Sequence, residues 1–167
     1  CIGVDPYYLV HKAKELQYHT KMINSGRYVN DSMGRYIGKK VVKKIISQGK
    51  NILGAHVLVM GMTFKENVSD IRNSKVADII NEFKDFGAEV DVMDPFASPL
   101  EVLQEYGIRL VERPGKKYDA VVVAVAHTTY LKLDESYFMS ITNEHAVLAD
   151  VKGVYRGSIH QMIYWSL

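Results

Sequence analysis

The residues with chemical potential concentrate in one stretch, Gly61-Met62-Thr63-Phe64-Lys65-Glu66-Asn67-Val68-Ser69-Asp70-Ile71-Arg72-Asn73-Ser74. The apolar run His56-Val57-Leu58-Val59-Met60 leads into it and an amphipathic helical pattern leaves it. A loop between a strand's carboxyl end and a helix's amino end is where open α/β sheets hold ligands, and free amides there favour anions. Lys65 adds a point charge and Arg72 a planar fork of donors, a pairing suited to phosphate. Gly61 lacks the partner glycines of a dinucleotide fingerprint, and the stretch is not a Walker loop. The expectation is a phosphorylated ligand held in another way.

Three further strand ends carry polar residues. Asp94-Pro95 closes the second strand, where an acid in dinucleotide folds often bonds a ribose; the plainer reading, favoured without the glycine fingerprint, is a turn into a helix at Pro99. His127 follows the apolar run Ala120–Ala126 and either touches a ligand or caps the next helix. Lys152, in Asp150-Val151-Lys152-Gly153, is either another cation added to Lys65 and Arg72 or a solvated lysine. Cys1 stands on a Gly-containing turn ahead of a helix start, a setting that lowers a thiol pKa. On the residues alone, a lone cysteine reads first as a small buried hydrophobe.

The elements that must position these groups are legible in the pattern. Asp5-Pro6 predicts a helix start, with Asp5 as cap, running unbroken to about Asn24-Ser25-Gly26. A second helix follows, its stripe Val29, Met33, Tyr36, Ile37, Val41 and Ile45 set at steps of three and four, ending near Gly49. Residues 1–50 thus form a helical arm, expected to pack on another domain or subunit. From Asn51 strands are predicted at His56–Met62, Glu89–Met93, Arg109–Val111, Asp119–Ala126 and Ala146–Val151. Helices are predicted at Ser74–Phe86, Pro99–Tyr106, Asp134–Thr142 and from Ser158 onward. The β-α-β-α rhythm with strands apolar throughout predicts a doubly wound parallel sheet over 51–167.

Composition narrows the classes. The 167 residues are 47% hydrophobic with a net charge of +2, and the lysine cluster 39–44 has helical spacing, so no nucleic-acid partner is expected. No apolar run reaches spanning length, so no membrane partner is expected either. The single cysteine excludes an internal disulfide and fits a reducing cytoplasm. No metal is expected. The chain opens without methionine and closes on apolar sequence, which suggests a piece of a longer protein.

Taken together, Cys1-Ile2-Gly3-Val4-Asp5-Pro6-Tyr7-Tyr8-Leu9, the 61–74 stretch, Asp94-Pro95 and Asp150-Val151-Lys152-Gly153 resemble, in order and spacing, the UDP-glucose/GDP-mannose dehydrogenase family. The wording is similar to the subgroup acting on UDP-N-acetylhexosamines for capsule or O-antigen synthesis. The resemblance implies a Rossmann-like UDP-binding domain preceded by a helical dimerisation arm. It implies oxidation of a sugar C6 alcohol to a carboxylate in two steps, with two NAD reduced. Cys1 falls on the nucleophile that captures the aldehyde as a thiohemiacetal and then becomes a hydrolysable thioester. Asp5 falls on the aspartate that assists water activation or proton transfer, Phe64 and Lys65 on positions holding the nucleotide-sugar, Arg72 on one reaching NAD, and Lys152 on a cationic substrate contact. No role transfers to His127. The N-terminal dinucleotide-binding domain is not in this sequence, so the expectation is an inactive piece that forms a homodimer through residues 5–48. The rival expectation is a stand-alone, non-catalytic nucleotide-binding and assembly module. A receiver-like regulator fits less well, because Lys65 and Arg72 have the wrong sign for an acidic pocket.

Overall fold

Strands apolar on both faces must be covered on both, and the computed structural model, which describes residues 4–167, meets that demand with helices on either side of a five-stranded parallel sheet. The elements are α1 (Asp5–Glu15), α2 (Lys21–Ser47), β1 (His56–Met60), α3 (Val76–Asp85), β2 (Glu89–Met93), α4 (Pro99–Tyr106), β3 (Tyr118–Val123), α5 (Glu135–Ser140), β4 (Thr142–Asp150) and β5 (Ile163–Ser166). The strand order is β2-β1-β3-β4-β5, all neighbours parallel. Side chains alternate across the sheet. Val57, Val59, Ala120, Val122, Val147 and Ala149 face a core shared with α2, α3 and α4, while Leu58, Met60, Val121, Val123 and Leu148 face one built with Tyr130, Phe138 and Tyr155.

β1 pairs with β2 on one side and with β3 on the other. The chain therefore reverses its winding direction at β1, and a crevice opens at the carboxyl ends of β1 and β3. The two chains leaving that crevice touch. Gly61 sits at φ 96°, and a Cβ there would lie 2.5 Å from the Cβ of Val125 and 2.8 Å from its backbone nitrogen. Glycine is required at this point both for the positive φ and for the close approach.

Several expectations need correction. α1 is capped by Val4, not Asp5, and Asp5 lies inside the first turn without a cap hydrogen bond from its side chain; its charge there still suits the helix dipole. The interruption between the helices falls after α1 at Leu16–Thr20, where Gln17 adopts φ 58°, and α2 runs straight through Asn24-Ser25-Gly26. Weak local propensity at those residues yields to propagation from the anchored half of α2. The predicted strand Arg109–Val111 shrinks to one bridge, Leu110 to Val92. The predicted helix from Ser158 is instead β5, because Ile163, Tyr164 and Trp165 are strand formers that pair with Val147, Leu148 and Ala149.

The apolar stripe of α2 divides in two. Ile37, Val41, Val42 and Ile45 are buried in the sheet's own core, each worth about 1.5–3 kcal/mol as an upper estimate. Val29 and Tyr36 remain exposed. The contact with α3 is close because Gly34 and Gly38 stand one turn apart on α2. A Cβ on Gly34 would lie 2.7 Å from the Asp78 Cβ, and one on Gly38 2.8 Å from the Glu82 Cβ. Gly26, on the same helix, has nothing within 4 Å.

The glycines therefore separate in mutagenesis. Gly34→Ala is expected to lower stability by roughly 1–3 kcal/mol through overpacking, despite alanine's better helix propensity. Gly26→Ala is expected to leave stability unchanged or raise it by up to about 1 kcal/mol. Urea unfolding followed by circular dichroism reads both.

Candidate functional site

The loop after β1 has few regular backbone bonds, and one buried carboxylate supplies its anchor. Asp94 Oδ2 accepts the amide of Met62 at 2.6 Å and that of Thr63 at 3.0 Å, and His127 Nε2 lies 3.0 Å from it. Asp94 Oδ1 accepts the amides of Phe96 and Ala97 at 2.7 and 2.9 Å. One side chain thus ties the exits of β1, β2 and β3 together. The side chains of Asp94 and His127 are both wholly buried. Burial opposes ionisation of Asp94, but the hydrogen bonds from His127 and from the Met62, Phe96 and Thr63 amides outweigh it and hold the carboxyl well below the usual carboxylate range.

Other contacts complete the loop. Phe64 N–H donates to the Asp70 carbonyl at 2.7 Å, and the Thr63 hydroxyl donates to the Lys65 carbonyl at 3.0 Å. Asn67, at φ 59°, donates its amide to His127 Nδ1 at 3.0 Å and accepts the amide and hydroxyl of Thr128. Tyr106 of α4 donates its hydroxyl to the Ile71 carbonyl and accepts the Ser74 amide. Its phenol is raised by burial.

The residues singled out from the sequence do not all meet. Cys1 lies outside the described residues. Asp5 is exposed at the start of α1. Phe64, half exposed, lines a hollow of about 600 Å³ with Val4, Tyr7, Arg27, Asn30, Asp31, Asn73 and Lys75. Arg72 lines a different hollow of about 450 Å³ with Asp70, Glu101, Gln104 and Glu105. Lys65 is exposed at the rim and lines neither of the two. Phe64, Lys65 and Arg72 therefore do not meet in either of these two hollows. The cause is local: Asp70 takes the Arg72 guanidinium in a two-pronged pair at 2.9 and 2.8 Å, while its carbonyl holds the Phe64 amide. The loop folds back on itself, and its two ends line different hollows. Arg72 holds the Asp70 carboxyl down at about 2.

Lys152 reaches the same rim, where it pairs with Glu66 of the loop and keeps that carboxyl below its usual range. The turn bearing Lys152 is built by Asp150, which accepts the amides of Gly153 and Tyr155 and the hydroxyl of Tyr164. Asp94 follows the turn reading, extended to a joint between three strand exits, and its oxygens have protein partners on both sides. His127 neither faces a ligand nor simply caps a helix; it is buried between the Phe96 and Tyr130 rings, with centroids 4.9 and 5.5 Å away. The sequence reading missed Thr63, Asn67 and Tyr106. Asn67 carried a signal, since asparagine in a polar loop is a frequent left-handed residue. Arg27 was also missed: its guanidinium stacks on Tyr7 with 5.3 Å to the centroid and bonds Asp31 at 3.0 Å, while its buried Nε has no partner among the described residues.

A five-stranded parallel sheet with helices on both faces and an anchored loop at its reversal point is a Rossmann-like fold. The profile of the UDP-glucose/GDP-mannose dehydrogenase family, UDP binding domain, matches residues 58–157, and the chain belongs to that family. It is 42% identical over 153 residues to UDP-N-acetyl-D-glucosamine 6-dehydrogenase of Pseudomonas aeruginosa, covering 91% of this chain and 36% of that protein. It is 41% identical over 155 residues to protein CapL of Staphylococcus aureus, covering 92% and 36%. The chain thus spans about a third of the length of these relatives. Among solved structures, a UDP-N-acetyl-mannosamine dehydrogenase from S. aureus superposes with a TM-score of 0.74 at 26% identity, over 98% of this chain and 36% of that one. The UDP-D-ManNAc dehydrogenase from Pyrococcus horikoshii superposes with 0.82 at 18% identity, over 99% and 37%, a likeness of fold.

The Asp94 joint makes acid stability diagnostic. The folded carboxyl titrates below its unfolded value of about 3.9, so its contribution is present above that pH and is lost as pH falls through the folded value. Asp94→Asn sets an amide donor against the amides of Met62 and Thr63 or of Phe96 and Ala97. The variant is expected to lose about 3–5 kcal/mol near neutral pH and to show a shallower decline between about pH 5 and 2. Urea midpoints across that range check it; parallel curves for the two proteins contradict it.

Proposed function

We propose that this chain is the nucleotide-sugar-binding part of an NAD-dependent UDP-N-acetylhexosamine 6-dehydrogenase, which oxidises the sugar's C6 alcohol to a carboxylate. The observation that carries the reading is the family match across residues 58–157, which contains the whole loop at the sheet's reversal point. Identity above 40% to a UDP-N-acetylglucosamine 6-dehydrogenase and to CapL supports the N-acetylhexosamine class and a role in capsule synthesis.

The residues take these roles in the proposal. The Lys65 ammonium receives the diphosphate, joined by those loop amides that are not already given to Asp94, Asp70 and His127. Phe64 forms an apolar wall of the hollow it shares with Arg27, Asn30, Asn73 and Lys75, whose donors suit sugar hydroxyls and acyl oxygens. Lys152 serves as a second cation once a phosphate replaces Glu66 as its partner. Cys1 attacks the C6 aldehyde, and Asp5 handles the proton of the hydrolytic water. The thiolate adds to the aldehyde as a thiohemiacetal, loss of a second hydride to NAD would leave a thioester, and water opens that thioester to the carboxylate and the free thiol. The protein works in the cytoplasm, where a lone reactive thiol stays reduced.

The described residues do not fit a dinucleotide. Gly61 has no partner glycines at fingerprint spacing, and the acid at the end of β2, Asp94, is occupied by protein donors. NAD would accept the hydrides when bound elsewhere in the longer protein, and Arg72 is the residue here assigned to reach it. The exposed side chains of α1 and the first half of α2, among them Tyr8, Leu9, Met22 and Tyr28, form the proposed homodimer face within residues 5–48.

Calorimetric titration of the 167-residue chain is expected to show weak binding of UDP and none of NAD, and the chain alone is expected to produce no NADH from a UDP-sugar. Lys65→Ala is expected to weaken UDP binding roughly tenfold without loss of stability. Binding of NAD, or unchanged UDP affinity in the variant, contradicts these assignments. Light scattering is expected to find a dimer, and a monomer at high concentration removes the proposed face.

A further inference from the structure

His127 is the buried polar group that the roles above leave unused, and its two ring nitrogens do different things. Nδ1 lies 3.0 Å from the amide nitrogen of Asn67. An amide can only donate, so Nδ1 carries no proton. Nε2 lies 3.0 Å from Asp94 Oδ2, which already accepts two backbone amides and is an acceptor only. Nε2 therefore carries the ring proton. The second neighbour of Nε2 agrees: the Thr63 hydroxyl, 3.3 Å away, gives its own proton to the Lys65 carbonyl and faces the ring as an acceptor. The neutral Nε2–H tautomer satisfies every one of these contacts at once.

We propose that His127 is a positioning residue that holds the Phe64–Lys65 segment in its ligand-ready shape, by presenting unprotonated Nδ1 to Asn67 while Nε2–H is committed to Asp94. The inference rests on the reading of this loop as the diphosphate site. The geometry explains why a ring is needed. Asp94 fixes Met62 and Thr63, before Phe64 and Lys65, and His127 Nδ1 fixes Asn67, after them. The imidazole is the rigid spacer between the two anchors, clamped by Phe96 and Tyr130. Asn67 needs this hold because it sits at φ 59°, a conformation that costs energy for a residue with a Cβ. Lys65 lies between the two anchors, two residues before Asn67, so a displacement of Asn67 strains the Thr63–Lys65 bond that holds the lysine.

Two substitutions separate the ring's functions. His127→Asn places an acceptor near the Nδ1 position and keeps the Asn67 contact while losing the donor to Asp94. His127→Gln reaches the Nε2 position and keeps a donor to Asp94 while losing the acceptor for Asn67. The full chain is titrated with UDP by calorimetry. His127→Gln is expected to weaken binding roughly tenfold or more, and His127→Asn to stay within about threefold of the parent, even where it is the less stable of the two. Nitrogen-15 spectra of the parent imidazole are expected to show the Nε2–H tautomer, with the Asn67 amide strongly protected from exchange. The reverse order of affinities, an Nδ1–H tautomer or an unprotected Asn67 amide overturns the proposal. If the parent binds no UDP, the reading of the site fails; the tautomer and the Asn67 protection still decide whether His127 holds the loop.

Discussion

A single ionised carboxylate, taken out of water, holds the working edge of this domain together. Asp94 receives hydrogen bonds from Met62, Thr63, Phe96, Ala97 and His127. A buried charge left short of partners is expensive, so each of these donors is fixed in place by the need to satisfy it. Strand exits that would otherwise splay are drawn into one rigid seam. The loop that leaves β1 inherits that rigidity, and its outward groups gain a defined direction without a regular hydrogen-bond ladder.

The rest of the fold serves that seam. Gly61 lets β1 and the segment after β3 approach closely, which brings His127 to Asp94. The glycines of α2 let it lie tightly on α3, the helix the loop runs into. Tyr106 stitches the far end of the loop to α4. Beyond the seam the loop is less settled in charge terms, since Arg72 pairs with Asp70 and Lys152 with Glu66. Both pairs are solvent-exposed on at least one side, and exposed pairs are weak enough to exchange for a phosphate.

Much of this was legible in the residues, for reasons that differ by element. Val57–Met60 and Ala120–Val123 announce buried parallel strands because nothing polar interrupts them. The helix expected at Pro99–Tyr106 is found with those bounds, closed by the Ser98 hydroxyl at one end and by left-handed Gly107 at the other. The failures came where tertiary contacts decide. Asn24-Ser25-Gly26 look like a break, yet α2 passes through them, and Ile163–Ser166 became a strand because β4 offered an unpaired edge. At the site, the loop was recognisable by its position and cations. The partner that diverts Lys152, and the joint made by Asp94 and His127, depend on residues more than thirty positions apart and leave no local trace, whereas the Asp70 that takes Arg72 stands two residues away. Gly34 and Gly38 were likewise silent, since their meaning lies in the helix opposite.

The account turns on a nucleotide diphosphate seated at the sheet's reversal point, against a loop fixed in advance. Amide chemical-shift mapping of the 167-residue chain during addition of UDP tests this most directly. The account predicts shifts concentrated in residues 64–67 and 150–153, with the amides of Met62, Thr63, Phe96 and Ala97, committed to Asp94, moving little. Shifts confined to the opposite edge, around Lys50–Ala55, or spread evenly over the chain, would contradict it.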